Sequence, residues 1–436
     1  MSQDTELGTL PCNWTVRSLA EVCSMRSGGT PPKSDRTLWA GRLPWASGKD
    51  LKSPRLRDAI DHITPEAAEE YSKVAPAGSV LVLVRGMGLA NGFALSLIER
   101  PMAFNQDLKA LTPRDGLTGP FLMHALTYAG TRMLRNVADA AHGTKRLSQD
   151  DLDNFKLPIP PIEEQRAIAA VLDRCRVAID VEVAAKKAAS ELKRAAMRSL
   201  FTHGLRGKAQ KETDLGLLPE SWEVVSLGSL GRVGNGSTPK KATASYWYGG
   251  TYPWLTSAKV YDRDIVSADQ FVTERALAEC HLPRIMPGAI LIAITGQGKT
   301  LGHCAVLRTE ATINQHIAYV ATDTKRADPS FVRGYLETQY DYLRQVASGG
   351  GSTKGALTCA FLRELLIPLP TMGEQREIVT ILDALDRKIE LHKTKGTVLD
   401  KIFKSLLQKL MTGKVRIDGL DLMPLQAPVY EPEAAA

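Results

Sequence analysis

One stretch near residue 300 has the residue types of a phosphate-binding loop. Residues 293–300, AITGQGKT, follow a hydrophobic run and fit the loose pattern A/G-x-x-x-x-G-K-T. Such a loop needs a helix directly after it, because the first amide groups of that helix point at the phosphates. Residues 301–307, LGHCAVL, instead predict a strand. The sequence is internally duplicated, and the stretch that corresponds to the loop in the other copy, VRGMGLANG at 84–92, has glycines but no lysine or threonine. The pattern favours a glycine hairpin, and a nucleotide site is the alternative that ATP binding would reveal.

Other signatures of catalysis are absent from the sequence. It holds no Asp/Asn-Pro-Pro-Tyr/Phe tetrapeptide, no G-x-S-x-G elbow, no H-E-x-x-H pair and no glycine fingerprint that opens a βαβ unit. The eight histidines lie apart from one another, and the six cysteines include no C-x-x-C pair. We expect a chain that is not an enzyme and binds no metal or cofactor, with its cysteines reduced.

Polar side chains on turns rich in glycine and threonine are suited to reading nucleic acid. Arginine and lysine can donate to guanine O6 and N7, and glutamine can pair with adenine N6 and N7. The candidates for DNA binding are Lys33, Lys49 and Arg85 in the first half of the chain and Lys240, Lys241, Lys259, Gln297 and Lys299 in the second. The alternative for each of them is an ordinary exposed loop charge.

Most of these residues belong to a sequence that occurs twice, about 209 residues apart. LGTLPCNW at 7–14 returns as LGLLPESW at 215–222, and GGTPPK at 28–33 returns as GSTPKK at 236–241. Three further features recur in the same order: Trp39 and Pro44-Trp45 as Trp247 and Pro253-Trp254, Asn105-Gln106 as Asn314-Gln315, and LPIP before Glu164-Gln165-Arg166 as IPLP before Glu374-Gln375-Arg376. We expect the Asn-Gln pairs to hold turns and the Glu-Gln-Arg triplets to cap helices or dock a partner.

A duplicated unit of this length is a whole domain followed by a helix. The two copies should lie about a pseudo-twofold axis, which suits duplex DNA as the partner. At 436 residues the chain can form two cores, and its net charge of +7 permits binding to nucleic acid without proving it. The first residues are polar, and no apolar run approaches the 18 or so residues of a membrane span. We expect a cytoplasmic protein with no membrane contact.

The sequence predicts two α+β globules, each followed by a long helix. The predicted boundaries are 1–160 and 209–370 for the globules, 161–208 and 371–415 for the helices, and 416–436 for a disordered tail. Apolar residues recur at steps of three and four along each helix: Ile168, Leu172, Cys175, Ile179, Ala189, Ala196 and Leu200 in the first, and Ile378, Leu382, Leu385, Ile389, Leu399, Leu406 and Leu410 in the second. We expect these two rows to pair as an antiparallel coiled coil that spaces the globules apart.

The sequence also predicts where the helix pair is loosely packed and which faces are in contact with solvent. Lys186, His392 and Gly396 interrupt the apolar rows, so the middle of the pair is expected to be looser or to face another chain. The basic residues expected on the outer faces are Lys186, Lys187, Lys193, Arg194 and Arg198 in the first helix and Lys388, Lys393, Lys395, Lys401 and Lys404 in the second. Such charges indicate a solvated face.

Taken together, the repeated motifs resemble the specificity subunits of type I restriction-modification systems. The resemblance covers nearly the whole chain and depends on the paired L-G-x-L-P-x-x-W openings, the paired G-x-T-P turns, the paired Asn-Gln motifs and the paired P-x-P-x-x-x-E-Q-R helix starts. It implies two target-recognition domains, each reading one half of a bipartite asymmetric DNA site, held apart by the two long helices.

The resemblance also implies partners. These are double-stranded DNA, two methyltransferase subunits that use S-adenosylmethionine to methylate adenine, and restriction-translocation subunits that use ATP and Mg²⁺, so all cofactors would belong to the partners. Two further alternatives are the DNA-recognition part of a type IIB/IIG-like enzyme and an assembly scaffold whose globules bind protein.

Overall fold

The computed structural model describes residues 2–135, 138–139, 145–296, 298–349 and 355–417. The chain divides into two compact units, the first formed by Met1–Val183 with Thr394–Ala436 and the second by Ala184–Lys393. Gln297 and almost all of the segment predicted as a tail lie outside the described residues.

The described strands of the first unit form a five-stranded sheet, a four-stranded sheet and three two-stranded pairs. Its strands, in chain order, are β1 (Ser2–Thr5), β2 (Gly8–Pro11), β3 (Thr15–Ser18), β4 (Cys23–Ser27), β5 (Leu43–Ala46), β6 (Arg55–Leu56), β7 (Asp61–Ile63), β8 (Val74–Ala75), β9 (Val80–Leu83), β10 (Leu95–Ile98), β11 (Met102–Phe104), β12 (Leu108–Pro113), β13 (Ala138–Asp139), β14 (Lys145–Arg146) and β15 (Lys156–Ile159). Its helices are α1 (Leu19–Val22), α2 (Pro65–Tyr71), α3 (Gly119–Leu134), α4 (Gln149–Asp153), the first half of α5 (Ile162–His203) and the second half of α10 (Met372–Met411).

The second unit is built from a similar series of elements. Its strands are β16 (Gln210–Thr213), β17 (Gly216–Pro219), β18 (Glu223–Ser226), β19 (Gly231–Asn235), β20 (Tyr252–Leu255), β21 (Asp264–Ile265), β22 (Gln270–Val272), β23 (Ile290–Ala293), β24 (Cys304–Leu307), β25 (Thr312–Ile313), β26 (Ile317–Thr322) and β27 (Leu366–Leu369). Its helices are the second half of α5, α6 (Glu274–Glu279), α7 (Pro329–Thr338), α8 (Tyr340–Ser348), α9 (Cys359–Glu364) and the first half of α10 (Met372–Met411).

Both units have the same main sheet. Its strand order is β4-β12-β9-β10-β6 in the first unit and β19-β26-β23-β24-β21 in the second. The central strands β9 and β23 are continuous runs of buried aliphatic residues, VLVL and ILIA, as expected for strands covered on both faces. A smaller sheet repeats in the same way, because β7-β5-β11 corresponds to β22-β20-β25. The predicted α+β class and the duplication are confirmed.

The two long helices pair within each unit, and their shared apolar clusters show how. The residues that they bury together in the first unit are Ile168, Leu172 and Ile179 of α5 with Phe403, Leu407 and Leu410 of α10. Those that they bury together in the second unit are Met197, Leu200 and Phe201 of α5 with Ile378 and Leu382 of α10. In both units an N-terminal half meets a C-terminal half, so the helices are antiparallel, as predicted.

Burial along the helices is strongest towards their ends. Toward the middle of each helix, apolar side chains are exposed, among them Val183 at 61% and Leu391 at 52%, and Lys186 is exposed as well. The prediction that Lys193 lies on a solvated outer face is wrong. Its side chain is only 12% exposed, and it forms ion pairs with Glu337 at 3.1 Å and Asp386 at 2.9 Å.

The repeated opening and helix-start motifs contact each other. Trp14 Nε1 donates to Glu164 at 3.1 Å in the first unit, and Trp222 Nε1 donates to Glu374 at 3.1 Å in the second. Each bond joins the entry of a unit to the first turn of the helix that leaves it. The glutamate therefore bonds within its own chain, and docking of a partner by the triplet stays a prediction.

The glutamine of each Glu-Gln-Arg triplet is fully buried and also bonds within the chain. Gln165 accepts from the Thr118 amide at 3.0 Å and donates to the Pro160 carbonyl at 2.9 Å. Gln375 accepts from the Asp328 amide at 2.7 Å and donates to the Pro370 carbonyl at 2.8 Å. Since every buried polar group needs a partner, these glutamines tie each helix start to the globule before it.

Candidate nucleic-acid interface

In the first unit, the loops that carry the candidate residues meet at one end of the main sheet. Strands β4 and β9 end there and β12 begins there, because β12 is antiparallel to both. The loops 28–33 and 84–91 and the turn 105–107 therefore lie side by side. Strand β5 runs parallel to β11 and ends beside that turn, so the loop that contains Lys49 joins them.

The second unit brings the corresponding loops together in the same way. Strands β19 and β23 end where β26 begins, again with antiparallel pairing. The loops 236–241 and 294–303 and the turn 314–316 are therefore neighbours. Strand β20 is parallel to β25 and leads into the turn that contains Lys259. In each unit the fold thus collects at one sheet end the candidate residues that the structure describes.

The loops 28–33 and 236–241, which we call the Thr-Pro loops, lie directly against a neighbouring strand. A Cβ at Gly28 would be 2.0 Å from the Phe104 carbonyl oxygen, and one at Gly236 would be 1.9 Å from the Ile313 carbonyl oxygen. No larger residue fits at either position without moving the backbone. The first glycine of each motif is therefore required by this close approach.

Two tryptophans hold the Thr-Pro loop of the first unit. Trp45 Nε1 donates to the Gly29 carbonyl at 2.9 Å, and Trp39 Nε1 donates to the Pro32 carbonyl at 3.1 Å. Their rings meet edge to face with centroids 5.0 Å apart. Because the carbonyls of the loop are fixed at two points, its path is tightly defined.

The second unit repeats these contacts. Trp254 Nε1 donates to the Ser237 carbonyl at 3.2 Å, and Trp247 Nε1 donates to the Lys240 carbonyl at 3.2 Å. The ring centroids are 5.1 Å apart with an interplanar angle of 90°. The paired tryptophans seen in the sequence therefore have one role, which is to brace a loop.

The Asn-Gln pairs act on the same loops. Thr30 Oγ1 donates to Gln106, and Thr238 Oγ1 donates to Gln315. The preceding asparagines are nearly buried, and each turns the chain through its side-chain oxygen, which accepts from a backbone amide two residues on at 3.2 Å for Asn105 and 3.0 Å for Asn314. The predicted turn-holding role of the Asn-Gln motif is confirmed.

The candidate lysines of the Thr-Pro loops are exposed. Lys33, Lys240 and Lys241 all lie on the surface. No ion pair of these three lysines is found within the described residues. Their ammonium groups are therefore available to an anionic ligand.

Lys49 and Lys259 are already bound to carboxylates. Lys49 Nζ lies 2.7 Å from Asp61, and this bond raises the pKa of the lysine. Lys259 Nζ lies 3.2 Å from Asp262 and 3.4 Å from Asp269, and the bond to Asp262 contributes most to raising its pKa. Both side chains stay charged at neutral pH, but each is neutralised locally by its partner.

Arg85 and Lys299 lie on the loops that differ between the units. Arg85 is exposed and forms an isolated antiparallel bridge with Arg146. Lys299 is exposed on a loop that helix α8 holds, because Tyr340 Oη donates to the Lys299 carbonyl at 2.6 Å and Arg344 donates to the Gly298 carbonyl at 2.8 Å. An equivalent bridge, Thr295 with Ala356, holds the loop of the second unit. The two loops therefore share one support, the second has additional bonds from α8, and their side chains differ.

Some cationic neighbours of these loops were not predicted from the sequence. Arg146 lies beside Arg85, and Arg36 lines a recess of about 480 Å³ together with Lys33, Trp39 and Lys49. Burial, with a smaller effect of Arg146, lowers the pKa of Lys109 at the start of β12. Neither arginine belongs to a repeated motif, so the sequence carried no signal for them.

The phosphate-loop alternative lacks its helix. Residues 298–303 form turns, and β24 then begins at Cys304 and pairs with β23 in the antiparallel hairpin that the sequence predicted. No cluster of three or more metal-ligating side chains occurs among the described residues. In the same part of the chain, no helix has the length and apolar character to cross a membrane.

Comparisons with known proteins agree with this architecture. A family model described as type I restriction modification DNA specificity domain matches residues 11–189 and 219–401. The MjaIX specificity subunit of a type I restriction enzyme from Methanocaldococcus jannaschii is 22% identical over 437 residues, which cover 96% of this chain and 97% of that protein. The EcoR124I/EcoR124II specificity subunit from Escherichia coli is 32% identical over 160 residues, covering 36% and 40% of the two chains.

Solved structures show the same fold over nearly the full length. The S subunit of a type I restriction-modification system from M. genitalium superposes with a TM-score of 0.59 at 17% identity, covering 94% of this chain and 99% of that one. The family model matches the chain twice, once in each copy of the duplicated unit and over most of the sequence. The chain therefore belongs to the type I restriction modification DNA specificity domain family.

Proposed function

We propose that this chain is the DNA-recognition subunit of a type I restriction-modification complex and that it reads a bipartite, asymmetric DNA site. The observation that carries the proposal is a shared frame with different loops. Both units present braced loops at the same sheet end, but the neighbouring loops carry Arg85 in one unit and Lys299 in the other. A frame of this kind suits two half-sites of different sequence.

The proposed role assigns the chemistry to partners. Two methyltransferase subunits would bind S-adenosylmethionine and methylate adenine, and restriction-translocation subunits would use ATP and Mg²⁺ where the complex also cleaves. This chain would supply DNA contacts and no catalytic group, and the complex would work in the cytoplasm. The long helices would set the gap between the half-sites.

The proposal is tested by mapping methylated bases. The chain is co-expressed with the methyltransferase gene beside its own in a host that lacks other adenine methylation, and N6-methyladenine is mapped by single-molecule sequencing. The expected result is a split motif with a fixed gap. The matched control is the methyltransferase expressed without this chain, which should methylate no such motif.

Two outcomes would contradict the proposal. A continuous, unsplit motif would indicate a single reader and favour the recognition part of a different enzyme class. A stable complex that leaves all DNA unmethylated would favour an assembly scaffold. Either result would remove the reason to assign one half-site to each unit.

A further inference from the structure

The internal duplication separates the candidate residues into groups. Lys33 and Lys241 occupy the last position of the two Thr-Pro loops, and both are exposed. The bracing around them is retained bond for bond, from the tryptophan contacts to the threonine–glutamine bond. What two copies of a reader keep in common serves either their shared fold or something that their ligands have in common, and these exposed lysines have no bonding role in the fold among the described residues.

Two half-sites of different sequence have the sugar-phosphate backbone in common, whatever their bases are. A side chain that is the same in both units cannot distinguish two different base sequences. We propose that Lys33 and Lys241 bind DNA phosphates, that the Thr-Pro loops fix the register of each unit on the duplex, and that base reading falls to the loops of Arg85 and Lys299. This assignment rests on the proposed function, since it needs DNA as the ligand.

The bracing fits a contact that sets position. A loop that is fixed at its carbonyls by two indole groups loses little conformational freedom when it binds. Phosphate contacts of this kind orient a protein on DNA but carry no sequence information by themselves. The exposed ammonium groups have no carboxylate partner within the described residues, so a phosphate does not have to displace one.

Lys49 and Lys259 fall into a different group. Lys49 lies 2.7 Å from Asp61, which is in β7 of the smaller sheet. Lys259 lies 3.4 Å from Asp269, which directly precedes β22, the corresponding strand. The pair recurs in both units, as the Thr-Pro loops do. Because each cation is already neutralised, we assign these lysines to holding the loop after β5 or β20, and not to DNA.

The assignment is tested with the full chain in complex with its methyltransferase subunit. Affinity is measured at several KCl concentrations for two duplexes of equal length, one containing the motif found by methylation mapping and one with that motif scrambled. Preference at individual base pairs is measured with duplexes of the same length in which one base pair of the motif is changed. The variants are Lys33→Ala and Lys241→Ala, with Arg85→Ala and Lys299→Ala for comparison. Lys211→Ala, which removes an exposed lysine from β16, is the matched charge control.

Each of the Thr-Pro loop variants should weaken binding to both duplexes by the same factor. The negative slope of log affinity against log salt should become less steep by about 0.9 for each phosphate that the variant no longer neutralises. The preference for the motif should stay unchanged. Arg85→Ala and Lys299→Ala should instead each lower the preference at base pairs of one half-site, by about 5- to 150-fold for a direct base contact. Lys211→Ala should leave affinity and slope as in the wild type.

The assignment is overturned if Lys33→Ala or Lys241→Ala changes the preference at particular base pairs, or if it leaves affinity and slope unchanged. Failure of the proposed function looks different. A wild-type complex that binds both duplexes equally lacks sequence specificity. The salt slopes of the Lys33 and Lys241 variants, compared with that of the wild type, then still show whether these lysines contact phosphates. A wild-type complex that binds neither duplex refutes both.

Discussion

The carboxylate of Glu374 shows how a single repeated residue holds a unit together. It accepts bonds from Trp222 Nε1 at 3.1 Å and Lys208 Nζ at 2.7 Å, and its side chain is only 7% exposed. Burial would raise the pKa of this carboxyl, but the bond from Lys208, followed by those from the Leu205 amide and Trp222, lowers it overall. The charged form is therefore favoured in the folded chain.

We predict that Glu374→Gln destabilises the second unit by about 1 to 3 kcal/mol at pH 7, because the variant removes the nearly buried carboxylate that pairs with Lys208. Since the folded pKa lies below the unfolded value, the contribution of Glu374 is complete above the unfolded pKa and is lost as the pH falls through the folded one. Urea unfolding at pH 7 and at decreasing pH should show the wild type and the variant converging in acid.

Glu164→Gln is the comparison in the first unit. Glu164 accepts from Trp14 and Asn13, bonds that the glutamine oxygen can also accept, and it has no ion pair among the described residues. Its substitution should cost less than that of Glu374. Equal losses in the two units, or a difference that does not change with pH, would contradict the role given to Lys208.

At the level of elements, the sequence predicted the framework better than its contacts. The repeats, the buried strands and the two apolar helix rows were sufficient to predict two α+β units and an antiparallel helix pair. The partners of the motifs could not be predicted, because Trp14 meets Glu164 across 150 residues and Trp222 meets Glu374 across 152. Periodicity fixes which face of an element is buried, but not which distant side chain completes a bond.

The candidate residues illustrate the same limit. The sequence identified Lys49 and Lys259 as loop cations, but their pairing with Asp61 and Asp269 depends on how β5, β7 and their counterparts pair. Lys193 was expected on a solvated face because its neighbours in the sequence are charged. Its burial follows from Glu337 on α7, an element whose position no local pattern predicts.

An ion cluster joins the main sheet of the second unit to α10. Arg263, beside β21, bonds to Asp383 and, at 2.7 Å, to Asp386, and Lys193 lies 2.9 Å from Asp386. Burial lowers the pKa of Arg263, but the two aspartates raise it by more. The cluster fixes the edge of the sheet against the helix.

We predict that Arg263→Ala destabilises the contact between the sheet edge and α10 by about 1 to 3 kcal/mol, because Asp383 loses its ion pair and Asp386 keeps only the one with Lys193. Hydrogen exchange should become faster in β21 and in the adjoining part of α10. Arg55→Ala is the comparison in the first unit and should have the smaller effect. Both carboxylates that Arg55 contacts keep another partner, Asp173 with His124 at 2.9 Å and Glu99 with Arg57 at 2.6 Å, whereas Asp383 loses its ion pair in the Arg263 variant. Slower or unchanged exchange in the Arg263 variant would refute the role given to Arg263.

At the scale of the whole molecule, we infer that the long helices determine the gap between half-sites. Removing residues 182–188 and 391–397 together keeps the heptad phase and takes out facing segments, since Glu182 lies beside Gly396. The loss of seven residues shortens each helix by about 10 Å, so methylation mapping should show a gap shorter by about three base pairs with both half-sites unchanged. An altered half-site, or an unchanged gap, would rule out the spacer role.

Each unit should read one half of the site on its own, and a chain with two identical readers tests this independence. In that chain residues 209–370 are replaced by a second copy of residues 1–160, and N6-methyladenine is mapped after expression with the methyltransferase. Because both units then carry Arg85 and the same Thr-Pro loop, we expect a split palindrome built from one half-site of the original motif. Methylation of the original asymmetric motif by this chain would contradict independent reading by the two units.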